Sequence, residues 1–243
     1  MRMNRLIAVA AASLLCWASV QPAMAIDVNP MVKHITPSGT NSGYRLSIRN
    51  TDDQPITVEI QAFMMEVDEN GQRSLSEEVD DLAIFPPQSV IPPNREQVVQ
   101  VRYVGAPDVG PRMYLVRVAQ LPIVFETEGG SPSGAAIQVA FNVNTHVLLA
   151  PASARPDLRI VSTRTAENGD VLISAENRGD GFASLREARY VVTGSGREVE
   201  VRAEDVDVGQ VSTLPGGARR NIRIPAALVP GVGTDVTASI ELS

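Results

Sequence analysis

The sequence predicts an all-β protein made of two sandwich domains in tandem, and three observations predict it. Apolar and polar residues alternate with period two in many short segments. No window of about a dozen residues keeps a helical apolar stripe free of Pro and Gly. Segments of the second half repeat features of the first half. With 243 residues and 44% hydrophobic composition, the chain can form two domains that each bury a core.

The first 25 residues have the pattern of a secretory signal peptide. Two arginines precede an apolar run over residues 6–20, and Ala23-Met24-Ala25 supplies the small residues that a signal peptidase reads. We therefore expect cleavage before Ile26 and export of the chain. Cleavage would remove two positive charges and no negative ones, which takes the net charge from −7 to −9. It would also remove the only cysteine, Cys16, so the mature chain would fold without disulfides.

Alternating segments place the strands of the first half. Residues 44–48 alternate and end at Asn50, and the apolar residues of 56–64 share one face before a turn at Asp68-Glu69-Asn70-Gly71. Further strands are predicted at 99–103 and 113–121. These segments predict a first sandwich.

The clearest alternating segment of this half spans residues 137–144. Ile137, Val139, Phe141 and Val143 share one face, with amides or Ala on the other. This pattern fits a central strand whose apolar stripe fills its own core. It also fits a strand that pairs with another chain, because it carries few charges that would oppose such pairing.

Proline-rich composition around Pro151 and Pro156 predicts a short linker, and a second set of strands begins at Leu158. Residues 172–177 end on Asn as residues 46–50 do, and residues 214–224 echo residues 91–101. Asn168-Gly169 predicts a tight hairpin. We therefore expect a signal peptide at 1–25, a first domain at 26–151 and a second at 152–243.

Sequence motifs that indicate catalysis or metal binding are missing. The two histidines are far apart in sequence, and HExxH, paired-cysteine, phosphate-loop and dinucleotide motifs are absent from the sequence. Negative net charge excludes a basic nucleic-acid-binding protein. The acidic runs at 77–81 and 204–207 are typical of solvated loops, and no two carboxylates stand out as a glycosidase pair. We expect no enzyme activity, no cofactor, no metal and no insertion into a membrane.

Four motifs resemble the amino-terminal domain of the PapD-like periplasmic pilus chaperones. They are Phe85-Pro86-Pro87, Ile91-Pro92, Gln97-Val98-Val99-Gln100-Val101-Arg102, and the strand from Tyr114 to Leu121-Pro122-Ile123. The resemblance covers residues 26–151 and implies two immunoglobulin-like sandwiches at an angle. It also implies a periplasmic chaperone that binds pilin-like subunits, prevents their aggregation and delivers them to an outer-membrane usher.

The same resemblance implies a donor strand and a carboxylate-binding site. Ile137, Val139, Phe141 and Val143 would fill the groove of an incomplete pilin sandwich. Two cationic side chains would hold the carboxylate at the end of the client, and the matching positions carry His34 and His146. A register shift of one residue would place Lys33 there in place of His34.

Other expectations concern the domain interface and the function. The family commonly has an acidic residue and an arginine in an interdomain charge network, where this sequence has Gly110 and Ala150, so packing is expected to set the interdomain angle. Without a client, the donor strand is expected to allow self-association. The alternative is a structural or adhesive secreted protein of two sandwiches without chaperone activity. A carbohydrate-binding module or enzyme would be expected to expose aromatic residues, and only nine remain after residue 25.

Overall fold

The computed structural model describes residues 26–121 and 141–242. The predicted signal peptide and two residues of the predicted donor stripe, Ile137 and Val139, lie outside these ranges. Within them the chain is nearly all β-strand, interrupted by 3₁₀ turns at Ala203–Asp205 and Ala226–Leu228. The predicted all-β class with two sandwich domains is confirmed. The proposed boundary at 151/152 falls in the connection between two strands, after Leu149 and before Leu158.

The first sandwich contains two sheets. Its described strands are β1 (Ile26–Asn29), β2 (Val32–Ile35), β3 (Gly43–Asn50), β4 (Ile56–Val67), β5 (Arg73–Glu78), β6 (Leu82–Phe85), β7 (Gln88–Ile91), β8 (Glu96–Tyr103), β9 (Arg112–Leu121) and β10 (Asn142–Leu149). One sheet has the order β1-β3-β8-β6. The other has the order β2-β10-β9-β4-β5, and β7 also pairs with β4. We call this second one the β10 sheet.

The second sandwich follows from β11 onwards. Its described strands are β11 (Leu158–Thr165), β12 (Val171–Asn177), β13 (Ala183–Ser184), β14 (Ala188–Gly194), β15 (Arg197–Val201), β16 (Thr213–Leu214), β17 (Arg219–Ile224) and β18 (Val236–Leu242). They form the sheets β11-β12-β17 and β15-β14-β18 and the pair β13-β16. A hairpin joins β11 to β12 with Gly169 at φ +86°, as Asn168-Gly169 predicted.

Period-two patterning explains both cores. In β3 and β8 the buried Leu46, Ile48, Val99 and Val101 alternate with polar or exposed neighbours, and they pack into the core of the first sandwich. The second sandwich buries a separate cluster that includes Tyr190. Each domain therefore has its own hydrophobic core, which the duplicated sequence pattern predicted.

Two details of the sequence prediction were wrong. The strand expected to end at Asn144 continues to Leu149, because Val147 and Leu149 extend its inward apolar stripe and are fully buried. The acidic run 77–81 is not simply a solvated loop. Asp81 accepts a hydrogen bond from the Tyr114 hydroxyl at 2.7 Å and pairs with Arg112 at 3.2 Å.

The run 204–207 is also partly structural, since Asp207 pairs with Arg223 at 2.9 Å. In both runs an acidic residue meets a basic one far away in sequence. Charge patterning within one segment does not reveal such a tertiary partner.

Candidate functional site

Among the described strands, β2 covers only part of one edge of β10. β1 pairs with β3 in one sheet, whereas β2 pairs with β10 in the other, and Pro30 lies between these two strands. Proline lacks the backbone N–H that a continuous ladder would need. β2 pairs with β10 only from His146 onwards. Within the described ranges, the edge of β10 that faces β2 is therefore left open at residues 142–145.

Backbone direction defines which groups this open edge presents. The His146 N–H donates to the Met31 carbonyl at 2.8 Å, so it points towards β2. N–H groups alternate between the two sides of a strand. The N–H groups of Asn142 and Asn144 therefore also point to the β2 side, where β2 does not reach. The N–H groups of Val143 and Thr145 point the other way, towards β9.

The described part of the predicted donor stripe is exposed at one end and buried at the other. Phe141 is 38% exposed. Val143 is half-buried and packs against the core, and Val147 beyond it is fully buried. The interpretation that this strand fills its own core therefore holds for part of the strand. Its carboxyl-terminal part fills its own core, while Phe141 stands at the exposed end.

His34 and His146 share one face of the β10 sheet. His146 pairs with Val32, and Leu148 pairs with His34, so the two histidines occupy diagonal positions on neighbouring strands. Thr145 and Val147, which flank His146, are buried on the opposite face. The histidine face is therefore the outer face of the first sandwich, directed towards the second domain.

His34 is exposed and lies at the domain boundary. Its ring makes an edge-on contact with Phe182 of the second domain, with ring centroids 6.2 Å apart. Lys33 pairs with Val147 and so projects from the other face of the strand. Both Lys33 and His34 line a cavity of about 470 Å³ between the domains, which Pro156 and Phe182 also line.

His146 lies in a different environment from His34. Its side chain is partly buried, and its Nε2 atom is shielded without a hydrogen-bond partner in the part of the chain described. Burial, followed by the positive charge of Arg73, lowers the pKa of His146. The imidazole is therefore held in its neutral form more strongly than a free histidine. Of the two, His34 is the one that is open to a ligand without rearrangement.

An apolar cluster beside the histidines joins the two domains. Met65, Met113 and Leu148 are buried on the outer face of the β10 sheet, and Phe182 and Val211 of the second domain pack against them. We call this group the interdomain cluster. Sequence analysis expected packing at this interface but did not name these residues. Consecutive apolar pairs such as Met64-Met65 and Leu148-Leu149 were the available signal, because they require burial on both faces of a strand.

The comparisons with known proteins agree with this architecture. The family model for the pili and flagellar-assembly chaperone, PapD amino-terminal domain, matches residues 29–155, which is more than half of the chain. The chain belongs to this chaperone family. No curated protein sequence matches it.

Solved chaperone structures share the fold at low sequence identity. The YadV chaperone has a TM-score of 0.57 at 11% identity, with 89% of this chain and 92% of that chain covered. The class 5 fimbriae chaperone CfaA has a TM-score of 0.56 at 9% identity, with 90% and 99% covered. A Salmonella enterica structure of the SafA pilin in complex with the SafB chaperone gives 0.53 at 14% identity, with 84% and 86% covered. These similarities show that this family member has the chaperone fold.

Two further findings apply to residues 26–121 and 141–242 of this family member. No group of three or more His, Cys, Asp and Glu side chains there could hold a metal ion. No helix in those ranges has the length and apolar character needed to cross a bilayer.

Proposed function

We propose that this protein is a non-enzymatic periplasmic chaperone that binds pilin-like subunits by donor-strand complementation. It would prevent their aggregation and deliver them to an outer-membrane usher. The observation that carries the proposal is the open edge of β10 at residues 142–145, next to the exposed Phe141. Related folds that were solved as chaperone complexes with a pilin or a tip adhesin support it.

Donor-strand binding follows from the chemistry of an open strand edge. An incomplete sandwich exposes an apolar groove and unpaired backbone groups, which together promote aggregation. Asn142 and Asn144 offer backbone groups to such an edge, and Phe141 offers an apolar side chain to the groove. Ile137, Val139 and Val143 would extend the same stripe. Without a client, the same edge would be available to a second copy of the chain.

The client carboxylate would bind at the histidine face beside the interdomain cavity. His34 is exposed there and is the first candidate, and Lys33 can reach the same cavity from the other face of β2. His146 would contribute only after its ring turns towards the cleft, because its Nε2 atom is buried in the free protein.

Use of histidine makes the proposed capture depend on pH. A bound carboxylate favours the protonated imidazolium, so binding would be accompanied by proton uptake. Client affinity should therefore increase as the pH is lowered through the range in which histidine titrates. Arg or Lys at these positions would keep their charge and give little such dependence.

Co-expression with a small secreted β-rich protein, as a candidate pilin-like subunit, tests the proposal. The expected result is a soluble complex of the two proteins in the periplasm, with the subunit insoluble when expressed alone. A subunit that stays insoluble beside well-folded chaperone would contradict it. For the carboxylate site, unchanged client affinity in both His34→Ala and His146→Ala would remove the histidines from the proposal.

A further inference from the structure

The turn between β4 and β5 inserts into the second domain. The Val211 N–H donates to the Gly71 carbonyl at 3.1 Å, and the Asn221 N–H donates to the Glu69 carbonyl at 2.6 Å. The Asn221 side-chain amide also donates to the side-chain oxygen of Asn70 at 3.1 Å. Three hydrogen bonds, two of them between backbone groups, therefore connect this turn to the second domain.

Glycine on both sides makes this close approach possible. Gly71 has φ +75°, and a Cβ on it would lie 2.4 Å from the Val208 carbonyl oxygen and 2.6 Å from Nη1 of Arg220. Gly209 has φ +84°, and a Cβ on it would lie 2.3 Å from the Asn70 carbonyl oxygen and 2.6 Å from the Gly71 Cα. Backbone meets backbone here, so neither position has room for a side chain.

Arg220 holds the 208–211 segment of the second domain, which contacts the turn, by hydrogen bonds to its carbonyl groups. It is fully buried, although its neighbours Arg219 and Asn221 are exposed. Its guanidinium donates to the carbonyls of Val208, at 2.7 Å, and of Val211. A buried cation is costly unless its donors find acceptors, and these two carbonyls satisfy Nη1, whereas Nε has no hydrogen-bond partner among the described residues. Arg220 thus holds the 208–211 segment in the conformation that directs the Val211 N–H at Gly71.

The contact with the turn continues into the candidate site. Val211, which bonds to Gly71, also belongs to the interdomain cluster with Phe182. Phe182 in turn contacts the ring of His34. The position of the turn and the geometry of the histidine side of the cavity are therefore connected through packed residues.

We propose that Gly71, Gly209 and Arg220 are positioning residues of an interdomain latch, which fixes the angle between the sandwiches and thereby the shape of the cleft beside His34. The latch itself is independent of any client, whereas its effect on client capture rests on the proposed function.

Gly71→Ala in the full chain tests the latch. Residual dipolar couplings, measured without client, report the relative orientation of the two domains. The variant is expected to change that orientation while each domain keeps its own fold. Gly196→Ala is the matched control, since Gly196 has a similar φ of +76° but nothing within 4 Å of an added Cβ. An unchanged orientation in Gly71→Ala would overturn the latch.

Two further measurements separate the parts of the proposal. In the unsubstituted protein, the amide hydrogens of Val211 and Asn221 should exchange slowly, and exchange at the rate of free surface amides would overturn the latch without any variant. Gly71→Ala should also weaken capture of a co-expressed pilin-like subunit by about tenfold, because the client must then select a rarer cleft geometry. If Gly71→Ala changes the interdomain orientation but leaves capture of the subunit unchanged, the latch is supported. The proposed effect of the latch on client binding is then overturned.

Discussion

Asn50 and Asn177 occupy the same position in the two domains and make the same hydrogen bonds. The Asn50 side-chain amide donates to the Ile91 carbonyl at 3.0 Å, and that of Asn177 donates to the Leu214 carbonyl at 3.0 Å. Their backbone N–H groups donate to the Arg95 and Ala218 carbonyls, each at 2.9 Å. Both asparagines are fully buried. The two sandwiches therefore repeat one internal connection between a strand end and a distant turn.

Replacing either asparagine by alanine should strongly destabilise its domain. The change removes the donor to the buried Ile91 carbonyl and to two part-buried carbonyls at Asn50, and to the buried Gly181 and Leu214 carbonyls at Asn177. Each buried group left without a partner costs about 1–3 kcal/mol. We expect Asn50→Ala and Asn177→Ala each to lower the free energy of unfolding by about 3 kcal/mol, measured by urea denaturation. Asn41→Ala is the control, because Asn41 is exposed. Losses of similar size in all three variants would contradict the assigned role.

The two turns whose carbonyls accept these hydrogen bonds contain Asn94 and Gly217, and substitutions at these two positions should change stability by different amounts. Asn94 has φ +56° and Gly217, at the repeated position, has φ +80°. A Cβ on Gly217 meets nothing within 4 Å, so only the backbone conformation opposes a side chain. Gly217→Val should cost about 1–2 kcal/mol, whereas Asn94→Gly should change stability by less than about 0.5 kcal/mol. Thermal unfolding measures both, and equal effects would contradict the shared turn geometry.

This repeat could be predicted from the sequence. In each half an alternating strand ends on Asn, and residues 214–224 have the same pattern as residues 91–101. The interdomain cluster could not be predicted in this way. Period two shows which residues of a strand share a face, but not which element covers that face. Met113 and Leu148 meet Phe182 through chain pairings far apart in sequence. Asp81 was assigned to a solvated loop for the same reason, since its partners Arg112 and Tyr114 lie on a later strand.

His146 should make stability depend on pH. Its pKa is lowered in the folded protein by burial and then by Arg73, whereas the unfolded chain has the ordinary value of about 6.5. As the pH falls below that value, the unfolded state takes up a proton first, so this group reduces stability until the pH passes the folded-state pKa. At pH values above the ordinary pKa, His146 is neutral in both states and its titration does not change stability.

Urea unfolding from about pH 8 to about pH 5 measures this contribution. His146→Asn should flatten the decrease on the acidic side, and His34→Asn, the same change at an exposed histidine, should preserve it. An identical pH profile for His146→Asn and the unsubstituted protein would show that His146 does not cause the decrease.

Phe141 should contribute to capture of a client. Because the residue is 38% exposed, more than half of its surface is already covered in the free protein, and Phe141→Asp should lower the free energy of unfolding by about 1–2 kcal/mol. In a complex the variant would also have to bury a carboxylate in the apolar groove of the client, so capture should weaken by about tenfold or more. Asn142→Asp places the same charge on the adjacent residue and the other face. Equal weakening in the two variants, measured with a purified pilin-like subunit, would indicate a charge effect and not a lost groove contact.

Amide hydrogen exchange along β10, measured by NMR with and without saturating pilin-like subunit, tests donor-strand binding most directly. The amides of Asn142 and Asn144 point to the open edge and should exchange at least about tenfold more slowly in the complex. Those of Val143 and Thr145 already face β9 and should change much less. Unchanged exchange at Asn142 and Asn144 in a saturated complex would show that the client does not pair with this strand.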